Sequence, residues 1–208
     1  MQKDFSQLLK NYEPKPLGET HSYAVLLPLV WDELHQEWQV LYQVRSEMIS
    51  QPGEVSFPGG SSEGNESLQE TAIRETMEEL NVRSEQIRVF GEIDYLVYSY
   101  RTIHCFIGQL LLDDWRKLKP NEEVARLFAV PLNALLQQPP KYYRLSTKVL
   151  TTNDFPFERI RNGADYKFSH HDRKIPFYDV TNENIWGMTA QFTHRFTDIV
   201  KELGLLDR

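Results

Sequence analysis

A single cysteine in 208 residues rules out an internal disulfide, so nothing in the fold depends on an oxidising compartment. Cys105 lies in the apolar stretch 103–112 and reads as a buried strand thiol, because a free cysteine behaves as a small hydrophobe. No run is long and apolar enough to span a bilayer as a helix. Residues 1–20 carry charges at Lys3, Asp4, Lys10, Glu13, Lys15 and Glu19 and lack an apolar core run. No secretory signal is therefore expected, and a cytoplasmic location is. Positive charge is also scarce, with 23 Lys and Arg against 30 Asp and Glu and a net charge of −7. No clustered basic footprint exists, which excludes a nucleic-acid surface. Internal repeats and low-complexity tracts are likewise missing.

What is present suits one globular domain. A hydrophobic content of 40% in a chain of this length is enough for one sizeable core. Phe5, Leu8, Leu9 and Tyr12 fall at helical spacing, so residues 4–12 are predicted as a short helix ended by Pro14 and Pro16. Segments 23–31 and 39–44 are rich in aliphatic and aromatic residues and form a predicted strand pair, with charged residues 32–37 as the turn. Pro52, Gly53, Pro58, Gly59, Gly60 and Gly64 break up segment 46–65, which therefore reads as a functional loop. A helix is predicted over 67–80, strands over 87–98, 103–112 and 124–130, and a short helix over 131–136. Segment 151–178 is polar and is predicted as a long excursion. An amphipathic helix over 183–203, bearing Trp186, Phe192, Phe196, Ile199 and Val200, closes the chain. The fold class is α/β, a mixed sheet sandwiched between helices, over residues 23–208 with 1–22 as a lead-in.

Chemistry concentrates on the helix 67–80. At 100° per residue, Glu75, Glu78 and Glu79 fall within an arc of about 100°, with i+3 and i+4 neighbours close together. Ala72, Ile73, Thr76, Met77 and Leu80 occupy the other side, so the helix is expected to dock on a sheet and present its acids outward. Like charges at this spacing repel unless a cation joins them, and all-oxygen ligands suit hard divalent ions such as Mg²⁺. On the helix alone, a solvated acidic face explains the pattern as well. Segment 54–60, ending Phe57, Pro58, Gly59 and Gly60, brings backbone close to that helix. Arg74, spaced four residues from both Glu70 and Glu78, is expected to tie the loop to the helix by way of Glu66.

These residues resemble the Nudix hydrolase box, G-x5-E-x7-R-E-U-x-E-E-x-G-U, with U a bulky apolar residue. Gly60, Glu66, Arg74, Glu75, Glu78 and Glu79 match it, and six such matches arise by chance on the order of once in a hundred thousand chains of this length. Thr76 stands in place of the apolar residue. Asn81 replaces the glycine that ends the helix, and asparagine also tolerates the left-handed conformation. The resemblance implies that Glu75, Glu78 and Glu79 hold Mg²⁺ or Mn²⁺ with the carbonyl of Gly59, while Gly60, Glu66 and Arg74 brace the loop. It also implies hydrolysis of a small-molecule diphosphate, with Glu75, Glu79 and Glu123 as the catalytic carboxylates and Glu75 or Glu123 taking the proton of the attacking water.

Arg45, Ser46, Gly53, Phe57, Pro58, Gly59 and Gly60 further resemble the segment that marks the coenzyme A diphosphatase branch. The spacing is one residue shorter, and Ser50 or a neighbour stands where that branch has a second arginine. Segments 122–132 and 185–190 are similar to the same branch. By this likeness Arg45, Ser46 and Phe57 bind substrate, Arg45 being the cation that suits a 3′-phosphate. Two rival readings are a nucleotide-binding module without activity, against which the complete set of Glu75, Glu78 and Glu79 speaks, and hydrolysis of another diphosphate such as a nucleotide sugar, a dinucleotide or a damaged nucleotide. Trp186 is read as a core anchor. His170, His171 and Asp172 are not taken as a metal site, because adjacent residues on a regular element do not face one point. A Ser-His-Asp hydrolase is set aside for want of a G-x-S-x-G elbow.

Overall fold

Strand β1 (His21–Asp32) is the spine of the larger sheet, paired with other strands along both edges, and most of its aliphatic residues are buried. In this computed structural model the described residues are 9, 10, 12, 17, 18, 21–98, 100–148, 150, 152, 154–168 and 172–204. Most of the helix expected over 4–12, and His170 and His171, lie outside the described residues.

Asp32 terminates β1 and accepts hydrogen bonds from the backbone of Leu34 and His35, which turns the chain into β2 (Glu37–Arg45). Two short strands, β3 (Val55–Ser56) and β4 (Gly59–Ser61), interrupt the predicted loop. Helix α1 (Leu68–Leu80) follows, started by a capping box between Ser67 and Glu70, and it stops, as expected, at Asn81, which takes φ 52°. The single strand predicted over 87–98 is two, β5 (Ile87–Glu92) and β6 (Leu96–Tyr98), both antiparallel to β7 (Arg101–Leu110). β8 (Val124–Pro131) pairs with β2. The sheet runs β3-β2-β1-β7-β5, with β4 on β1 and β6 on β7, and it is mixed because β1 and β7 are parallel. Ala72 and Leu80 of α1 pack on Ala24, Leu26, Val30, Leu41, Phe106 and Leu110 of the strands. Cys105 is wholly buried on β7, as its apolar neighbours imply, and burial pushes its thiol pKa up.

The chain forms two compact units, one up to Ala129 and one from Val130 on. The second holds α2 (Leu132–Gln137), the antiparallel strands β9 (Lys141–Leu145), β10 (Arg173–Tyr178) and β11 (Ile185–Trp186), and α3 (Gly187–Glu202). This is the α/β class, yet the closing helix packs on a sheet of its own unit. It starts four residues later than expected, where Gly187 adopts φ 63° after β11. Trp186 is a half-exposed strand residue stacked on Phe177, not a core anchor. Among the described residues no helix is long and apolar enough to cross a membrane.

Candidate active site

The loop before α1 is closed at its base by backbone pairing. Arg45 N–H donates to the Glu54 carbonyl and Gly53 N–H to the Arg45 carbonyl, both at 2.9 Å, and Gly53 takes φ 76° to make the turn. Farther on, Gly59 and Gly60 pair with Val25 and Ala24 of β1. A Cβ on Gly59 would lie 2.7 Å from the Val25 Cα, and one on Gly60 would overlap the Glu75 carboxylate. Only glycines let this strand lie against β1 with the acid helix directly over it.

Arg74 locks loop and helix together. Its Nε and Nη2 donate to the two oxygens of Glu66 at 3.1 and 2.9 Å, and Nη2 also reaches the Ser61 carbonyl at 3.1 Å. Glu66 further accepts from the Glu63 backbone and the Thr71 hydroxyl. The Arg74 guanidinium foremost, with these donors, holds the Glu66 pKa down at about 2. Arg74 and Glu66 of the expected brace are thus bonded to each other, and Arg74 reaches the loop at Ser61, next to Gly60. Arg74 departs from expectation in one partner: Glu70 is occupied by the Ser67 cap, and Arg74 Nη1 instead bridges Glu75 at 2.9 Å and Glu78 at 3.2 Å.

The three acids differ in setting, and they are not all presented outward. Glu78 is exposed and Glu75 partly covered, whereas Glu79 is only 4% exposed. Glu79 turns beneath the helix to accept from Gln43 Nε2 at 2.5 Å, and burial, reinforced by Glu75 and Glu123, raises its pKa to about 7. Burial raises Glu75 as well, with Glu78 and Glu123 adding to it against the pull of Arg74. Glu123 thus acts on the same spot, and backbone bonds explain how it is brought there. Asn121 N–H donates to the Glu79 carbonyl, the Asn121 side chain accepts from Glu123 N–H, and Ser46 N–H donates to the Glu123 carbonyl. On the helix's other flank, Ile73 and Met77 are only partly covered and line an open hollow with Asn65, Glu66, Glu70 and Arg74; the expected packing side is narrower, consisting of Ala72, Thr76 and Leu80. Thr76 is fully buried and returns its hydroxyl to the Ala72 carbonyl at 2.6 Å, which explains how a polar residue fills an apolar position.

Of the expected substrate residues, Arg45 and Ser46 stand at the end of β2 beside Glu123. Arg45 donates through Nε to the Ser50 carbonyl at 2.7 Å and through Nη2 to the Ser50 hydroxyl at 3.2 Å. Phe57 is different: it is 4% exposed and stacked on Tyr42, a packing position with no ring face open to a ligand. Gln43, Asn121 and the Ser61 carbonyl are partners that sequence reading missed. Gln43 alone left a trace, as a polar residue between the apolar run Val40 to Tyr42 and Val44.

Among the described residues no three of His, Cys, Asp and Glu stand ready-made as a metal cage, since Arg74 engages Glu75 and Glu78 while Gln43 engages Glu79. The donors nonetheless fit a hard divalent cation. They are all oxygens, and two of the carboxylates are pushed towards protonation by burial and by each other, a penalty that a cation removes. The buried Oε1 of Gln43, next to Glu79, also has no hydrogen-bond partner among the described residues, leaving an acceptor for a hydrated ion.

The family model described as NUDIX domain matches residues 20–151. Nudix hydrolase 3 of Caenorhabditis elegans is 24% identical over 204 residues, covering 93% of this chain and 80% of that protein. An uncharacterized Nudix hydrolase NudL of Photorhabdus laumondii subsp. laumondii is 27% identical over 190 residues, 90% of each. In fold, the crystal structure of a MutT/nudix family protein from Enterococcus faecalis superposes with a TM-score of 0.51 at 14% identity, over 95% of this chain and 68% of the other.

Proposed function

The chain belongs to the Nudix family, and on that premise we propose that it splits coenzyme A or an acyl derivative at its diphosphate, giving 3′,5′-adenosine diphosphate and a 4′-phosphopantetheine fragment. Hydrolysis of a diphosphate linkage is supported by the domain match and by the relatives bearing the name Nudix hydrolase. Nudix hydrolases generally use divalent metal ions. Here Glu75, Glu78, Glu79 and the Gly59 carbonyl would hold Mg²⁺ or Mn²⁺, which when bound neutralises diphosphate charge and acidifies water.

The remaining work falls to side chains of this chain. Arg74 and Glu66 keep the loop with Gly59 and Gly60 in register with the acids. Glu123 and Glu75 are the two carboxylates available to take a proton from the attacking water, and Glu123, exposed at the end of its loop, meets that need with fewer competing bonds.

The single observation that carries the substrate is the closed loop 45–53. The residues that resemble the coenzyme A segment, Arg45, Ser46 and Gly53, are joined by backbone bonds into one unit whose edge, at Ser46, is tied to Glu123. A substrate phosphate beside that loop meets Arg45, a planar donor suited to phosphate oxygens. The test is kcat/KM for coenzyme A against its 3′-dephospho form, with Mg²⁺ and with Mn²⁺. The phosphorylated form should be preferred and Arg45→Ala should erase most of that preference. Equal rates on both forms, or faster cleavage of a nucleotide sugar or dinucleotide, would remove coenzyme A as the substrate.

A further inference from the structure

Strand β2 buries two glutamines: Gln39, whose amide is hydrogen-bonded at both ends, and Gln43, which lies among the buried Leu41, Tyr42 and Val44 and is only 2% exposed. Residues alternate along a strand, so Gln43 shares a face with Leu41, which packs on α1. From there its Nε2 donates to Glu79 Oε2 at 2.5 Å and to the Ser56 hydroxyl at 3.3 Å. Its Oε1 is buried with no hydrogen-bond partner among the described residues. A buried amide with one end unmatched is costly, and an aliphatic residue would fill this strand position without that cost. Core packing therefore does not account for a glutamine here. Holding Glu79 does.

We propose that Gln43 is a positioning residue for the metal site, clamping one oxygen of Glu79 so that the other is aimed at the cation, and offering its own carbonyl to a water on that cation. This rests on Glu79 being a metal carboxylate. Partners that orient metal ligands typically matter about 10- to 100-fold in affinity. Gln43→Met keeps the chain length and removes both polar ends, and Gln43→Leu repeats the loss with a different shape.

The test is Mn²⁺ binding to the full chain without substrate, followed by electron paramagnetic resonance, in a cycle of Gln43→Met and Glu79→Gln. Gln43→Met should weaken Mn²⁺ about tenfold in the natural background and clearly less when Glu79 is already Gln, where only the carbonyl's contact with a cation-bound water remains to be lost. Ser56→Ala, which removes the second acceptor, should leave Mn²⁺ affinity unaltered. Thermal melts accompany each variant, and Gln43→Leu replaces Gln43→Met in the cycle if the latter does not fold. Unchanged Mn²⁺ affinity, or an equal loss in both backgrounds, would overturn the positioning role. A Glu79→Gln protein that binds Mn²⁺ as tightly as the natural one would instead overturn the metal assignment beneath it.

Discussion

The side-chain amide of Asn81 donates to the Lys119 carbonyl at 2.7 Å, and this bond joins the end of the acid helix to the loop that carries Glu123. Asn81 stands where the Nudix box has glycine. The substitution keeps the left-handed backbone, at φ 52°, and adds a tether that glycine cannot make.

Asn81→Gly therefore separates the two jobs. The helix should still stop correctly, with a thermal midpoint close to that of the natural protein, while kcat/KM falls about two- to tenfold from the lost hydrogen bond. In a Glu123→Gln background the same change should cost nothing more. Additive losses in the double variant would sever the link between Asn81 and Glu123.

Arg74 makes five hydrogen bonds to four partners from different parts of the loop and helix. A lysine has one point of charge and cannot span them. Arg74→Lys should thus be nearly as damaging as Arg74→Ala, each lowering kcat/KM about 100-fold through misplacement of the loop and acids. Mn²⁺ affinity should fall in both. A rise in KM alone, with Mn²⁺ affinity intact, would recast Arg74 as a substrate contact.

Acid stability should report the Glu66 cluster. Because the folded pKa lies below the ordinary 4.5, at about 2, the carboxylate contributes stability that is fully present above about pH 4.5 and is lost as pH falls towards 2. Glu66→Gln should lower the thermal midpoint at pH 6 and flatten its decline between pH 4.5 and 2. A parallel decline in both proteins would mean that the Arg74 pairing does not stabilise the fold.

Much of this arrangement was legible from residues alone. The extent of α1 and its stop at Asn81 are read from the sequence, and the Ser67 cap that starts it, though not singled out there, comes from the same kind of side-chain chemistry acting within a few residues. The partner of Glu79 is not local: Gln43 lies 36 residues away, and helical periodicity puts Glu79 beside Glu75 and Glu78 without revealing that a strand amide draws it under the helix. Phe57 misled for the opposite reason, since a motif position says nothing of burial against Tyr42. Strand β9 escaped because all five of its residues are exposed, which erases the alternation that marks a half-buried strand. The late start of α3 depends on Gly187, whose backbone geometry is invisible in an amphipathic pattern that runs smoothly through it.

Burial of Glu79 implies a trade between stability and activity. A carboxylate placed at 4% exposure opposes the metal-free fold when ionised, so Glu79→Gln should raise the thermal midpoint of metal-free protein at pH 8. A lower midpoint would mean that the Gln43 bond more than offsets the burial.

The central claim is tested most directly by incubating coenzyme A with Mg²⁺ and the natural chain or its Glu79→Gln variant, products being resolved by mass. The natural chain should yield 3′,5′-adenosine diphosphate and 4′-phosphopantetheine, and the variant should be slower by about a thousandfold or more while remaining folded. Cleavage at an undiminished rate in Glu79→Gln would contradict the account.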